Sequence, residues 1–142
     1  HFAAELLIRL RPNLNRNPLP AVSLCMDSST LTACGNDYSF EKIFSRPFEA
    51  LAHKNDILIV ISTSGNSKNI IEVLKYCKKK KIKTIGFTNF KGGYLKKNCD
   101  ISIHTNINNY GIGEDINHIL MHMMMQFISV NNLNTKLKKI IL

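Results

Sequence analysis

Ile57-Leu58-Ile59-Val60-Ile61-Ser62-Thr63-Ser64-Gly65-Asn66-Ser67 is the stretch whose reading decides the fold. Five apolar residues, four of them β-branched, stop abruptly in small hydroxyl residues and one glycine, and an amphipathic segment follows. A continuous apolar run of that length reads as a parallel strand buried on both faces. The turn after it offers Ser62, Thr63, Ser64 and Ser67 as hydroxyl donors. Gly65 lets the backbone approach a ligand closely, and a new helix would point unpaired N–H groups and its positive dipole end at the same place. A phosphate ester is the natural guest. The plainer alternative is a βα turn in which Ser67 only caps its helix, a position serine favours. Four hydroxyls and a glycine directly after a buried strand favour the phosphate.

Outward from this point the pattern alternates. Residues 83–88 (Lys83-Thr84-Ile85-Gly86-Phe87-Thr88) and 100–104 read as further strands, and Ala21 to Met26 as an earlier one closed by Asp27-Ser28-Ser29. Between them fall helical patterns: the remainder of a helix over 1–11, ended by Arg11-Pro12, and a short helix near Thr30 to Ala33 before the turn Gly35-Asn36-Asp37. The 40–52 segment is helical with a bend or restart at Pro47. The helix after the phosphate turn carries Ile70, Ile71, Val73, Leu74 and Cys77 and ends in lysines. Gly92-Gly93 opens a short helical turn. Residues 112–133 form the longest helix, apolar on nearly every side, which demands burial on more than one face and suggests an oligomer interface. The expected fold is α/β: a three-layer α/β/α sandwich with a parallel sheet, flavodoxin-like or Rossmann-like, in a single domain over 1–142. Ile140-Ile141-Leu142 is expected to dock on a neighbouring molecule.

The bulk properties narrow the function classes. With 142 residues, 44% of them apolar and 20% charged, the chain suits one ordinary globular domain. No apolar run reaches the roughly 18 residues of a membrane span, so neither a transmembrane helix nor a secretory leader is expected. Nineteen basic against 10 acidic side chains give a net charge of +9. The densest cluster, Lys78-Lys79-Lys80-Lys81 with Lys83, sits at a helix C-terminus, where cations favour the dipole. No basic stripe is interleaved with aromatics, so nucleic acid is not an expected partner and a phosphorylated small molecule is. Cys25, Cys34, Cys77 and Cys99 are widely spaced without a C-x-x-C pair. Reduced, mostly buried thiols in a cytoplasmic protein follow from that spacing.

His1 and Glu5 are four apart in a helical segment and project from one face; Glu114, His118 and His122 share one side of the last helix. Histidine and carboxylate in such pairs suit a divalent metal, and Zn²⁺ accepts a mixed N/O set. Polar residues at a helix start or an interface would give the same pattern. Helix geometry alone pairs Glu114 with His118, since eight residues span about 12 Å along the axis.

The stretch 61–67 resembles the phosphate loop of sugar isomerase (SIS) domains. Further matches point to one branch, the bacterial phosphoheptose isomerases: His1-Phe2-Ala3-Ala4-Glu5-Leu6, Gly35-Asn36-Asp37-Tyr38-Ser39-Phe40 with Ile43-Phe44-Ser45-Arg46, and Glu114 with His122. The matches run in order along nearly the whole chain. The resemblance implies an aldose–ketose isomerase that converts sedoheptulose 7-phosphate to D-glycero-D-manno-heptose 7-phosphate, a precursor for lipopolysaccharide or other surface glycans. It implies one Zn²⁺ per subunit held by His1, Glu5, Glu114 and His122, with Glu5 as base and His122 as acid. Ser62, Thr63, Ser64 and Ser67 would hold the phosphate, Asp37 and Glu114 would contact the sugar, and Arg9 and Arg46 match family positions that could neutralise an anion. A homotetramer with active sites between subunits is implied as well.

Three departures stand beside these matches. Glu114 replaces a glutamine, and Gly111 stands where better-known members carry an aspartate. The family's N-terminal helices, first strand and C-G-N-G-G-S loop would precede His1. Two rival readings keep the fold and drop the chemistry: a non-catalytic SIS protein that binds a protein partner, of the replication initiator-associating type, and a sugar-phosphate sensor. The His and Glu pairs argue against both, since neither needs a metal or an acid–base pair.

Overall fold

The computed structural model describes residues 1–8, 16–131 and 140–141. Its strands and helices alternate as α1 (Phe2–Leu7), β1 (Ala21–Val22), α2 (Ser28–Asp37), α3 (Ser45–Leu51), β2 (Ile57–Ile61), α4 (Lys68–Lys80), β3 (Lys83–Thr88), α5 (Gly93–Asn98), β4 (Ile101–His104), α6 (Tyr110–Asn131) and β5 (Ile140–Ile141). The sheet is parallel throughout, in the order β1-β5-β2-β3-β4.

Central β2 explains the layering. Its alternate side chains go to opposite faces: Ile59 joins Phe2, Leu6, Phe87, Met121 and Met125 under α1 and α6. Leu58 and Val60 join Phe48, Val73, Leu74, Cys77 and Leu95 under α3, α4 and α5. Both faces are thus covered, as the unbroken apolar run 57–61 required. The three-layer α/β/α sandwich is as the sequence predicts.

Local chemistry sets the boundaries. Asp27 caps α2 by accepting from the Ser29 N–H (3.0 Å) and from the Thr30 hydroxyl. That cap carries the helix through Gly35 to Asp37, so 35–37 is the last turn of α2 instead of the expected free turn. Pro47 falls in the first turn of α3, where its missing N–H has no intrahelical partner to lose. The 40–52 segment therefore restarts: a 3-10 turn over Phe40–Lys42 precedes α3. α4 ends where Lys81 turns left-handed (φ 57°) and returns its N–H to the carbonyls of Cys77 and Lys78.

The sheet differs from expectation at its centre. β1 and β2 are not neighbours, and each presents an open backbone edge to the other. Ile140–Ile141 fills the lower part of that gap, pairing with Ala21–Val22 on one side and Ile57–Leu58 on the other. Unpaired strand edges demand a hydrogen-bonding partner. The segment expected to dock on another molecule is therefore a strand of its own sheet. Among the described residues a cavity of about 390 Å³ lies beside β2, lined by Ser23–Cys25 and Leu58–Ile61.

Candidate active site

The phosphate turn occupies the C-terminal end of β2, the usual place for a ligand in a parallel α/β sheet. Ser67 is at the N-cap position of α4, yet its hydroxyl makes no capping bond. It pairs instead with the buried Ser62 hydroxyl at 2.9 Å. The Ser67 hydroxyl thus does not cap this 13-residue helix; in its first turn the Ile70 N–H is taken by Asn69 Oδ1 at 2.9 Å and the Ile71 N–H by the Ser67 backbone carbonyl at 3.0 Å. Ser64 Oγ accepts from the Asn66 N–H at 3.2 Å, which shapes the turn. Thr63 contributes through its carbonyl, which accepts from the Asn89 N–H at 2.9 Å.

A second glycine-containing loop braces the first. Gly65 has φ +69°, and a Cβ there would lie 2.0 Å from the Gly92 carbonyl oxygen. Leu95 N–H donates to Gly65 O at 3.1 Å, and Tyr94 N–H donates to Asn66 Oδ1 at 2.9 Å. Glycines 65, 92 and 93, all with positive φ, are what let the two backbones meet.

The imidazole and carboxylate cluster assembles from α1 and α6. His1 Nε2 lies 3.1 Å from His122 Nε2 and 3.7 Å from Glu5 Oε1. One imidazole must donate and the other accept at that distance. His118 stands near both, its ring centroid 6.1 Å from that of His1 and 6.2 Å from that of His122. The Glu5 side chain is 19% exposed. Its second oxygen, Oε2, is buried and has no hydrogen-bond partner among the described residues. Arg16, itself buried, donates through Nη2 to the Glu5 carbonyl at 2.5 Å and through Nη1 to the Asn17 carbonyl at 2.9 Å. Burial draws the Arg16 guanidinium below the usual arginine value, and the charge of Glu5 opposes that shift.

Not every expected site residue joins this cluster. Glu114 is exposed in the second turn of α6, with no hydrogen bond or ion pair to His1, Glu5 or His122. Asp37 is exposed at the end of α2, where its Oδ1 accepts from Asn36 Nδ2 at 2.8 Å. Arg46 is engaged at the surface, 3.9 Å from Glu49 and stacked over Tyr38. Arg9 lies outside the described residues.

As placed, no group of three or more His, Cys, Asp or Glu among the described residues stands ready to hold a metal ion. The donor chemistry nevertheless fits one. Two imidazole nitrogens at tetrahedral angles on one Zn²⁺ are roughly 3.3 Å apart, given Zn–N bonds near 2.0–2.1 Å. The His1–His122 separation is close to that, and Glu5 Oε2 is an acceptor lacking a partner.

The cavity beside β2 connects the two features. Ser67 and Asn69 from the phosphate end, and His1 and His118 from the cluster, line the same space. A family model described as the SIS domain matches residues 2–89. The chain belongs to the SIS domain family. Within it the chain groups with the phosphoheptose isomerases. It is 48% identical over 103 residues to a phosphoheptose isomerase of Campylobacter concisus, covering 72% of this chain and 53% of that one. Over 128 residues it is 43% identical to the enzyme of that name from Aliarcobacter butzleri, covering 90% of this chain and 67% of the relative. The structure of a phosphoheptose isomerase from Francisella tularensis superposes with a TM-score of 0.86 at 33% identity, over 92% of this chain and 69% of that chain. The chain thus spans about half to two thirds of the length of these curated relatives.

Several residues of the SIS site escape a reading of the sequence. Arg16 sits in an Asn/Pro-rich stretch that carries no periodic signal. Asn66, Asn69, Asn89 and Asn117 look like ordinary loop or helix asparagines; Asn66, though exposed, braces the second glycine loop, and Asn69, Asn89 and Asn117 are buried as cavity-lining or bracing groups. Their one sequence signal is polarity at positions where the pattern calls for apolar side chains, as at Asn117 between Ile116 and Ile119.

Proposed function

We propose that this chain carries the site of a phosphosugar aldose–ketose isomerase acting on sedoheptulose 7-phosphate and yielding D-glycero-D-manno-heptose 7-phosphate. One observation carries the reading: Ser67 of the phosphate turn and His1 and His118 of the imidazole cluster line a single cavity of about 390 Å³. A sugar anchored by its phosphate at Ser62, Ser64, Ser67 and the α4 N-terminus would present its far end to His1, Glu5 and His122. Binding energy from the non-reacting phosphate would orient the reacting carbons.

Isomerisation moves a proton from C1 of the ketose to C2, through an enediol, while a second proton passes from O1 to O2. Glu5 is the base for the carbon-bound proton. Its two oxygens can divide two duties, Oε1 facing His1 and the buried Oε2 remaining without a partner. His122, within hydrogen-bond distance of His1, serves the oxygens as acid. A Zn²⁺ held by His1, Glu5, Glu114 and His122 would supply polarisation of the carbonyl. Glu114, a carboxylate in place of an amide, adds negative charge to that set and would weaken the polarisation.

A homotetramer with active sites between subunits belongs to the same reading. It is supported by an exposed apolar stripe on α6, where Ile112, Ile119 and Met123 are 53%, 58% and 61% exposed. Asp37 and Glu114, which no contact within one chain brings to the cluster, would act there on the sugar. A cytoplasmic setting and a role in supplying heptose to surface glycans go with the substrate. Among the described residues no helix is long and apolar enough to cross a membrane.

The deciding experiment is turnover of sedoheptulose 7-phosphate after chelation, with and without added Zn²⁺. Zinc-restored formation of the aldoheptose phosphate is the expected result. An intact oligomer without turnover in either condition would overturn the isomerase assignment in favour of a binding protein on the same fold.

A further inference from the structure

α6 has a rotational problem. Ile116, Ile119, Leu120, Met121, Met123, Met124, Met125, Phe127 and Ile128 put apolar surface on most of its sides. Hydrophobic burial is non-directional and would accept several rotations of such a helix. The rotation nevertheless matters: Glu114, His118 and His122 form one row, and a single-residue turn of about 100° would carry His118 and His122 away from His1.

One pair of buried polar side chains breaks the degeneracy. Asn117 is 2% exposed and Asn89 fully buried, and Asn117 Nδ2 donates to Asn89 Oδ1 at 3.0 Å. Asn89 Nδ2 in turn donates to the Thr105 hydroxyl, with a long 3.5 Å contact to the Gly113 carbonyl. The helix can come this close because residue 113 is glycine; a Cβ there would stand 2.8 Å from Asn89 Cγ. From its other side Asn89 grips the phosphate turn, its N–H donating to Thr63 O at 2.9 Å. Asn117 Oδ1 is left buried with no partner among the described residues. An unpaired buried oxygen lowers stability, so the pair is better explained by position than by strength. Directional polar contacts in an apolar interface are the known device for fixing register.

We infer that Asn89 and Asn117 are positioning residues that lock the rotation of α6, and with it His118 and His122, to the phosphate turn. They do not touch the reacting atoms; they set the distance between the phosphate anchor and the acid–base cluster. The kinetic part of this inference rests on the isomerase reading above.

The test replaces both partners by an apolar pair of similar volume, Asn89→Leu with Asn117→Leu, alongside Asn117→Leu alone, in the full chain. The double variant removes both polar groups together and is expected to melt close to wild type, keeping the folded state available for measurement. Its kcat is expected to fall at least tenfold with KM for the sugar phosphate changed less than threefold. Imidazole ¹⁵N–¹H spectra of His1, His118 and His122 are expected to shift, a readout that needs no turnover. A folded double variant with wild-type kcat and unchanged imidazole spectra would overturn the inference, as would activity that simply tracks melting temperature across the variants. Wild-type protein without isomerase activity would overturn the functional reading instead, and the imidazole spectra alone would still decide the clamp.

Discussion

Gly65→Ala tests whether the phosphate turn and the Gly92-Gly93 loop form one braced unit. The added Cβ would sit 2.0 Å from Gly92 O and 2.5 Å from Gly92 C, backbone atoms that no rotamer change can move. Holding a non-glycine residue at φ +69° costs about 1–2 kcal/mol by itself. Relief of the clash must part the two loops and lose the Leu95 N–H bond to Gly65 O and the Tyr94 N–H bond to Asn66 Oδ1. Each such bond contributes about 0.5–1.5 kcal/mol. The total destabilisation is therefore roughly 2–5 kcal/mol, which for a domain of this size lowers Tm by about 5–15 °C. Gly35→Ala provides the contrast. Gly35 lies inside α2 without positive φ, and its nearest neighbour to a Cβ would be Ile43 Cγ2 at 3.8 Å. Relieving a helical glycine there should stabilise by about 0.5–1 kcal/mol. Thermal melts of both variants, with calorimetric titration of a sugar phosphate, give the answer. Gly65→Ala melting within about 2 °C of wild type and binding normally would refute the braced-loop argument.

Ser64→Ala combined with Ser67→Ala should weaken sugar-phosphate binding by roughly 2–4 kcal/mol, since bonds to a charged group contribute about 1.5–3 each less some compensation; unchanged calorimetric affinity would rule out this phosphate site. Glu5→Gln should lower kcat by about 100-fold or more with far less effect on KM, as removal of a general base requires, and near-normal turnover would eliminate Glu5 from that role. The side-chain hydrogen bonds from Lys42 and then Lys75 hold Glu72 down to about 2 from its ordinary 4.5. A depressed carboxylate stabilises the fold above its unfolded pKa and loses that contribution as pH falls through the folded value. Glu72→Gln should therefore melt below wild type at pH 7, and the gap should close between about pH 4.5 and 2; a gap independent of pH would refute the ion pair's contribution. Burial pushes the thiols of Cys77 and Cys99 up to about 12 and about 11, while Cys25 is exposed. A thiol reagent at pH 8 should modify Cys25 rapidly in the native protein and reach Cys77 and Cys99 only on unfolding, so equal rates would contradict the burial.

The parts of the fold legible in the sequence are those written in local, repeating signals. β2 falls on the apolar run 57–61, because apolar continuity over five residues has few other solutions, and β3 falls on residues 83–88 as expected. α4 is announced by its amphipathic period and its terminal lysines. Asn69, buried in the first turn, is less visible, since an asparagine beside a serine-rich turn looks like loop chemistry. α2 shows the limit of residue-type reasoning. Gly-Asn-Asp reads as a turn, but the Asp27 cap and continued helical hydrogen bonding outweigh that preference, whose strength is below about 1 kcal/mol per residue. The His1–Glu5 pair was visible because four-residue spacing is a property of the helix itself.

By itself, then, the sequence determined the parallel α/β sandwich, the serine- and glycine-bearing turn after β2 and the two helical faces bearing histidine and carboxylate. Each of these follows from backbone periodicity and from the conformations a few residue types allow. Tertiary structure alone decided that His1 and His122, 121 residues apart, stand 3.1 Å from each other. It alone decided that Ile140–Ile141 completes the sheet between β1 and β2, and that Asn89 meets Asn117. Those contacts join distant segments whose meeting depends on how whole elements pack, and short-range periodicity carries no record of which partner a side chain will face.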